Sequence, residues 1–224
     1  AHVLVGGEDG RLHLFDAESG DREWTLEAST AGFDRVLFLG EDARVATLDR
    51  RGVATVYTIQ GEEVWSVDTD GDGPASVDAG VLHADRDGRR LVTWTPRGIG
   101  SVYEAATGKR LRSFGDSKLA AHPPALSADG TRVFAYLMSR DATTPGAFAA
   151  VADLDANRML GRFQELPFVR APGQAAFSSD GQLVALPLGD RNAVGIWAAA
   201  GGERLFTLRG HDEPVTEVRF TRDG

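Results

Sequence analysis

A repeat of about 40 to 50 residues runs through the chain and restricts its fold more than any other feature. One marker is an Asp-Gly turn after an apolar stretch, which recurs at spacings of 42, 51 and 43 residues: Asp87-Gly88, Asp129-Gly130, Asp180-Gly181 and Asp223-Gly224. A second marker is a turn with Gly or Asn, at Gly20, Gly61, Gly108, Asn157 and Gly202. Because two independent markers share one period, we infer that one supersecondary unit is used several times.

Each unit contains four short β-like segments separated by turn residues, as the last complete unit shows. Its segments are Gln174–Ser178, Gln182–Pro187, Ala193–Ala198 and Glu203–Leu208. A period of this length with four strands is typical of a propeller blade, which buries its faces against its neighbours. The sequence therefore predicts an all-β chain, a single β-propeller domain or fragment of four-stranded antiparallel blades. The predicted blades are 1–28, 29–70, 71–116, 117–166 and 167–210, with the start of another at 211–224.

Composition agrees with this prediction and excludes several classes of function. The 27 glycines among 224 residues indicate many turns, and 42% hydrophobic residues is ordinary for a globular protein. No run of about 18 apolar residues is present, so we expect no membrane span and a cytoplasmic location. A net charge of −9 argues against a nucleic-acid partner, since phosphate binding needs clustered cations. The absence of cysteine excludes zinc sites built on thiolates.

Three stretches resemble the WD-repeat family. The segment from Leu208-Arg209-Gly210-His211 to the Asp223-Gly224 turn is similar to the opening of such a repeat, with its Gly-His pair. The stretch from Gly7 to Phe15-Asp16 resembles the closing strands, and Ile196-Trp197-Ala198 keeps the family's Trp without the Asp. The resemblance implies a propeller of about seven blades, of which this chain supplies about five.

A second resemblance is to the tryptophan-docking repeats of quinoprotein-like propellers. Trp24 follows Gly20 by four residues, and Trp65 follows Gly61 by the same spacing. This resemblance leaves the propeller fold unchanged but adds an alternative function, an oxidoreductase or a hydrolase with its site in the central channel. The residues required for a bound quinone are not evident, so we expect no cofactor.

The WD-repeat resemblance also implies structural roles for His211, Asp9 and Trp197. In that family the Gly-His histidine joins a network with a Ser or Thr, an Asp of the turn between strands b and c, and the Trp of strand c. If the chain closed on itself as five blades, His211 would meet Asp9 as its one polar partner. The resemblance therefore favours a fragment of a larger propeller, whose exposed edge would promote association. The strand count also permits the alternative, a closed ring of five blades.

Arginines recur in the turns between the second and third strands of successive units. In a propeller these b–c turns and the d–a loops between blades emerge on one face, so the arginines would form an arc there. Guanidinium groups bind carboxylates with two hydrogen bonds, which predicts an acidic protein or peptide as the ligand. The alternative is that solvated turns simply favour charged residues. The arc comprises Arg50, Arg51, Arg97, Arg140 and Arg191.

An acidic loop follows the second unit and resembles the first half of a calcium-binding loop. Asp68, Asp70 and Asp72 alternate, with Gly73 in the sixth position, but Ala79 replaces the glutamate expected in the twelfth. Asp78 is a fourth candidate ligand. The two interpretations are a weak calcium site and a solvated acidic loop between blades.

No enzyme signature stands out, so the sequence predicts a non-catalytic scaffold for protein interactions. Gly-rich phosphate loops, a Gly-x-Ser-x-Gly elbow and histidine pairs at metal-binding spacing are all missing from the sequence. We expect the ligand to bind the arginine-bearing face or the mouth of the channel. The resemblance adds an expected effector domain fused to the propeller in a longer chain.

Overall fold

The structure is a computed structural model that describes nine stretches of the chain: 1–40, 44–69, 81–95, 99–115, 119–121, 124–139, 147–163, 174–189 and 191–221. These residues contain twenty strands and no helix. The strands form five antiparallel sheets, which we call blades 1 to 5 in chain order. The chain divides into two compact units, Ala1–Phe114 and Gly115–Gly224. The all-β prediction is confirmed for the described residues.

The first unit contains blades 1 to 3, in which consecutive strands pair as simple meanders. Blade 1 is β1 (His2–Gly6), β2 (Arg11–Asp16) and β3 (Arg22–Glu27). Blade 2 is β4 (Phe33–Leu39), β5 (Arg44–Asp49), β6 (Val53–Thr58) and β7 (Glu63–Asp68). Blade 3 is β8 (Val81–Ala84), β9 (Arg90–Trp94), β10 (Ile99–Glu104) and β11 (Arg110–Gly115).

The second unit contains blades 4 and 5. Blade 4 has five strands, in which β12 (Leu119–Ala121) and β13 (Ala125–Leu126) both pair with β14 (Arg132–Ser139), followed by β15 (Ala147–Asp153) and β16 (Arg158–Arg162). Blade 5 is a four-stranded meander. Its strands are β17 (Ala176–Phe177), β18 (Leu183–Pro187), β19 (Ala193–Ala198) and β20 (Arg204–Arg209).

Both predicted turn markers adopt the left-handed backbone that explains their glycines. Three of the four Asp-Gly turns have nearly identical φ angles of 66°, 67° and 68°, at Gly88, Gly130 and Gly181, and the fourth, Asp223-Gly224, lies outside the described residues. The second marker also has positive φ in every unit: Gly20, Gly61, Gly108, Asn157 and Gly202. This conformation strains residues with a Cβ, and Asn tolerates it best after Gly. The repeat is therefore confirmed at the level of backbone geometry.

Two segments differ from the predicted strands. Leu119–Ala121 pairs with Ser139–Leu137 as an additional strand that the alternation did not indicate. Within the predicted start of a further blade at 211–224, we expected a strand over Pro214–Phe220, but it forms only two isolated bridges, Val215 with Gly189 and Glu217 with Gln174. Because its residues pair with two separate segments, no continuous ladder develops. Residues 78–80, predicted to begin β8, lie outside the described residues.

Neighbouring blades bury their apolar faces against each other within each unit. Leu12, Trp24 and Leu26 of blade 1 lie in one cluster with Val45 and Tyr57 of blade 2. Blades 2 and 3 form a similar cluster, and so do blades 4 and 5. Burial is thus supplied by the next sheet along the chain, as repeat architectures require.

A tryptophan of the outer strand fixes each blade-to-blade contact in the first unit. The Trp24 indole N–H donates to the Ile59 carbonyl at 2.7 Å, and that of Trp65 donates to the Ala105 carbonyl at 3.0 Å. A Cβ at Gly108 would lie 2.6 Å from the Trp65 ring, so only glycine leaves room for the indole. The spacing between turn glycine and Trp therefore places each Trp where it can contact the next blade.

In the second unit, backbone atoms instead of an aromatic ring make the equivalent contact between consecutive blades. Gly161 occupies the Trp position, and a Cβ there would lie 2.7 Å from the Gly202 nitrogen. The aromatic contribution comes from Phe163 and Trp197, whose rings stack with centroids 5.2 Å apart. Arg132 of blade 4 also donates to the Gly181 carbonyl of blade 5. Within the described stretches, no helix is long and apolar enough to cross a membrane.

Candidate functional site

Three loops of the first unit are joined into one surface by backbone hydrogen bonds. They are the turn between β1 and β2 of blade 1 (7–10), the loop between β3 and β4 (28–32) and the turn between β5 and β6 of blade 2 (50–52). The four strands of a complete blade are lettered a to d, and the three strands of blade 1 correspond to b, c and d. The two turns are therefore b–c turns, and the loop is a d–a loop. Ala28 and Ser29 donate to the Gly10 carbonyl at 3.0 and 3.1 Å, and Arg50 donates to Gly32 at 3.1 Å. A Cβ at Gly10 would fall 1.7 Å from the Ser29 carbonyl oxygen. This close approach makes the surface rigid.

The buried carboxylate of Asp49 holds the d–a loop to the b–c turn of blade 2. It accepts hydrogen bonds from the Ser29 hydroxyl at 2.8 Å and from the backbone N–H groups of Arg51 and Val53 at 2.9 Å each. The Arg51 guanidinium lies 3.4 Å from the same carboxylate. A buried carboxylate needs such partners, because an unpaired one is strongly destabilising. Asp49 thus fixes the position from which Arg51 projects.

A cleft of about 610 Å³ opens on this surface. Its lining combines charged side chains from β2, β3 and the three loops with the hydroxyls of the d–a loop. The lining residues are Asp9, Arg11, Glu27, Ala28, Ser29, Thr30 and Arg51. A cleft of this volume falls in the range that encloses a small ligand or a short peptide segment.

The charges in the cleft are mixed. Arg11 lies 3.5 Å from Glu27 and 3.9 Å from Asp9, and all three side chains are more than half exposed. Exposed ion pairs of this kind contribute little to stability, so these groups can exchange their partners for a ligand. The Arg51 side chain is also half exposed, and a guanidinium has five N–H donors. The cleft therefore offers both cationic donors and carboxylate acceptors.

Arg50 points into a separate cluster of acidic residues beside the cleft. Its guanidinium lies 2.6 Å from Glu8 and 3.7 Å from Asp34. The hydrogen bond and charge of Glu8 raise the pKa of Arg50 above its already high ordinary value. Arg50 therefore ties the b–c turns of the first two blades together, and its donors are less available to a ligand than those of Arg51.

The structure locates three of the five arginines in the predicted arc. Arg50 and Arg51 adjoin the cleft of the first unit. Arg191 is exposed in the turn after β18 of the second unit, where its N–H donates to Leu188 at 2.9 Å. Arg97 and Arg140 lie outside the described residues. The arc as a whole stays a prediction.

The predicted calcium site falls mainly outside the described residues, with Asp70, Asp72 and Asp78 among those not described. Asp68 is exposed at the end of β7. Across the described ranges, no group of three or more His, Asp or Glu side chains is arranged to hold a metal. Calcium binding by this loop therefore stays a prediction.

The three residues with predicted structural roles have different surroundings. Trp197 is fully buried in β19 and stacks on Phe163. Asp9 accepts the Arg11 N–H at 3.1 Å and so closes the b–c turn of blade 1, besides lining the cleft. His211 is exposed after β20.

Sequence inspection missed the two residues that organise the site, Asp49 and Ser29. Neither residue was singled out from the sequence. The available signal is Asp49-Arg50-Arg51-Gly52, because an Asp that begins a turn ending in Gly commonly accepts hydrogen bonds from the next N–H groups. Nothing local indicates Ser29, whose bond to Asp49 spans 20 residues.

Comparisons with known proteins add no family to these observations. No protein-family model and no curated protein matches the chain. Function is therefore inferred from the chemistry of the cleft and from the repeated blades that hold it.

Proposed function

We propose that this chain is a non-catalytic β-propeller scaffold, of WD-repeat type with quinoprotein-like docking tryptophans, that binds a protein or peptide in the cleft of its first unit. The repeated antiparallel blades support a propeller, and about five blades of a larger ring fit the strand count. The observation that carries the proposal is the rigid cleft with Arg51 and Glu27 on its lining. Loops on a rigid scaffold are where recognition commonly occurs.

The charges of the cleft favour a partner that carries both signs. A purely acidic ligand would meet Arg51 and Arg11 but also the carboxylates of Asp9 and Glu27. An extended peptide with one carboxylate and one basic group satisfies both sets, the carboxylate on Arg51 and the basic group on Glu27. This refines the acidic partner expected from the sequence.

The proposal can be tested by selecting peptides from a random twelve-residue library on the immobilised chain and measuring their affinity by fluorescence polarisation. We expect the selected peptides to contain an acidic and a basic residue. Arg51→Ala should weaken their binding by about 1.5–3 kcal/mol, the usual contribution of a hydrogen bond to a charged group. Glu27→Gln should weaken it less, because its side chain is largely exposed.

Arg22→Ala is the matched control, since Arg22 is exposed at the opposite end of β3 from the cleft. Its affinity for the same peptides should equal that of the unsubstituted chain. Equal losses for Arg22→Ala and Arg51→Ala would mean that the peptides bind by general charge attraction, and the cleft would not be the binding site.

A further inference from the structure

Blade 3 carries four exposed cations at one end of its sheet, and all four belong to the first unit. Two come from the turn between strands a and b, and two from the start of the outer strand: Arg86, Arg89, Lys109 and Arg110. We call these four residues the basic surface. Within residues 85–90 and 104–110, all of which the structure describes, Asp87 is the one exposed carboxylate. The local charge is therefore positive, although the whole chain has a net charge of −9.

Strand pairing brings the two halves of the basic surface to the same end of blade 3. Arg90 of β9 pairs with Glu104 of β10, and the Glu104 N–H donates to the Lys109 carbonyl at 2.9 Å. The start of β9 and the start of β11 are therefore two strand spacings apart, or about 10 Å. The long side chains of Arg89 and Lys109 can thus contact one ligand.

The backbone beneath the basic surface is held by buried groups. The buried Asp85 carboxylate accepts two backbone N–H bonds from its own turn, including that of Arg89 at 2.8 Å. The Ala105 N–H donates to the Arg89 carbonyl at 2.8 Å and so joins the a–b turn to the c–d turn. Trp65 of blade 2 donates to the Ala105 carbonyl and lies on Gly108. Because these turns are already ordered, a ligand need not order them on binding.

The four cations have no carboxylate partners of their own. Among the described residues none of them forms an ion pair, whereas Arg11, Arg50 and Arg51 of the same unit each form at least one. The chain has 33 acidic and 24 basic side chains, so unpaired cations gathered in one place are not expected from composition. Their N–H donors are therefore available to a ligand with negative charge.

We propose that the basic surface binds an acidic segment of a partner protein, extended and with carboxylates on alternate residues. A guanidinium group binds a carboxylate with two parallel hydrogen bonds, and an ammonium group adds a point charge. Side chains on one side of an extended segment recur about every 6.7 Å. Two or three such carboxylates therefore cover the distance between Arg89 and Lys109.

The surroundings favour a short acidic segment over a nucleic acid. Glu62 and Glu63 are exposed where β7 begins, on the outer strand whose Trp65 contacts the c–d turn of blade 3. A nucleic acid continues beyond the basic surface and would meet these carboxylates, and the net charge of the chain repels it further. A peptide can carry carboxylates where the cations lie and neutral residues on either side.

The basic surface is separate from the cleft of the first unit. The a–b turns of blades 2 and 3 lie side by side, so closely that the Gly40 backbone leaves no room for a Cβ on Gly88. The cleft adjoins the b–c turn of blade 2, which lies at the opposite end of β5 from its a–b turn. The proposed acidic segment is therefore a second ligand, and its binding does not depend on the peptide proposed for the cleft.

The test is fluorescence polarisation of a labelled peptide with glutamate at alternate positions and serine between them, in about 0.15 M salt. The unsubstituted chain should bind this peptide about tenfold or more tightly than the same peptide with glutamine in place of glutamate. Arg89→Gln combined with Lys109→Gln should weaken binding by about tenfold or more, because two charged donors are removed. Circular dichroism melts verify that the variant folds.

The matched control is Arg22→Gln combined with Arg158→Gln. These exposed residues begin the outer strands of blades 1 and 4, and their loss changes the net charge by the same amount. The control variant should bind the glutamate peptide as the unsubstituted chain does. Arg51→Ala should also leave this affinity unchanged, because Arg51 lines the cleft at the other end of blade 2.

Three results would overturn the proposal. Equal affinity for the glutamate and glutamine peptides would mean that the cations do not recognise carboxylates. Equal losses in the two double variants would mean that the peptide is attracted by charge in general. Tighter binding of a thymidine oligonucleotide with the same net charge would mean that the basic surface is a nucleic-acid site. A loss with Arg51→Ala alone would place the acidic peptide in the cleft instead.

Discussion

The two units are both built from antiparallel blades but join consecutive blades by different contacts. In the first unit an indole lies on a turn glycine and donates to a backbone carbonyl, as Trp65 does to Ala105 at 3.0 Å. In the second unit Gly161 brings backbone against backbone, and Trp197 supplies the aromatic volume from the third strand. Either of two consecutive blades can therefore supply the aromatic ring of their contact, provided that a glycine lies where the two blades approach most closely.

The two units also differ in where hydroxyl side chains form hydrogen bonds. The first unit has hydroxyl pairs across its outer strands, Thr55 with Ser66 at 3.1 Å and Ser101 with Ser113 at 3.2 Å. The second unit places its hydroxyls in the a–b turns, where Ser178 donates to Asp180 at 2.6 Å, as Ser127 does to Asp129. Among the described residues, these hydroxyl pairs across outer strands lie in the first unit, and the Ser–Asp pairs of the a–b turns lie in the second.

The largest expected effect comes from removing the central aromatic ring of each unit. Trp197→Ala should reduce the free energy of unfolding by about 3–5 kcal/mol, because the side chain is fully buried and its loss leaves a cavity. Trp65→Ala should cost about 2–3 kcal/mol, since the ring is half-buried and loses one hydrogen bond. Urea unfolding followed by circular dichroism measures both. A larger loss of stability for Trp65→Ala than for Trp197→Ala would mean that the first unit depends more on its aromatic ring than the second unit does.

A smaller effect tests the backbone contact of the second unit. Gly161→Ala places a methyl group 2.7 to 2.9 Å from the backbone of residues 200–202, which cannot move aside as a flexible side chain would. We expect a loss of about 1–3 kcal/mol, the usual cost of overpacking. The same urea titration measures it.

Gly201→Ala is the control for that substitution. Its new methyl group would meet only the flexible Glu203 side chain, at 3.3 Å or more, so the change should stay within about 0.5 kcal/mol. If both substitutions cost the same, glycine is needed in this segment for another reason than close approach between blades.

The sequence was sufficient for the features that repeat. In blade 5 the bounds of β18, β19 and β20 agree with the predicted segments to within a residue, because turn signals flank each of them. Leu119–Ala121 was missed because it is short and pairs with a strand nearly 20 residues away. Whether such a segment forms a strand depends on its pairing with a distant part of the chain, which leaves little signal in the local sequence.

The candidate site could be predicted only in part, for the same reason. Arg51 was identified because it belongs to a recurring turn, and Asp9 because the WD-repeat resemblance makes it a partner of His211. Asp49 and Ser29 meet across the boundary of two blades, and neither recurs at the equivalent position of every unit.

The smallest expected effect concerns acid stability, to which carboxylates in the turns of the second unit contribute. Hydrogen bonds from Ser178 and the Gln182 N–H lower the pKa of Asp180, despite some opposing desolvation. Burial opposes ionisation of Asp129, but bonds from Ser127 and Thr131 outweigh it, and its pKa is lowered too. Asp153 shows the same direction, through N–H groups of its own turn. In the first unit, hydrogen bonds from the backbone N–H groups of Ser19 and Glu18 lower the pKa of Asp16.

The sign follows from linkage between protonation and folding. Because the folded-state pKa lies below the ordinary value of 3.8, these turns stabilise the protein fully above that value and lose the contribution as pH falls through the folded pKa. Ser178→Ala removes the hydroxyl that lowers the Asp180 pKa, so its stability should fall less steeply below about pH 4 than that of the unsubstituted chain. Ser66→Ala, whose hydroxyl bonds another hydroxyl, should leave the slope unchanged. Urea midpoints measured from pH 3 to pH 6 test this, and equal slopes for the unsubstituted chain and Ser178→Ala would show that the turn carboxylate does not govern acid unfolding.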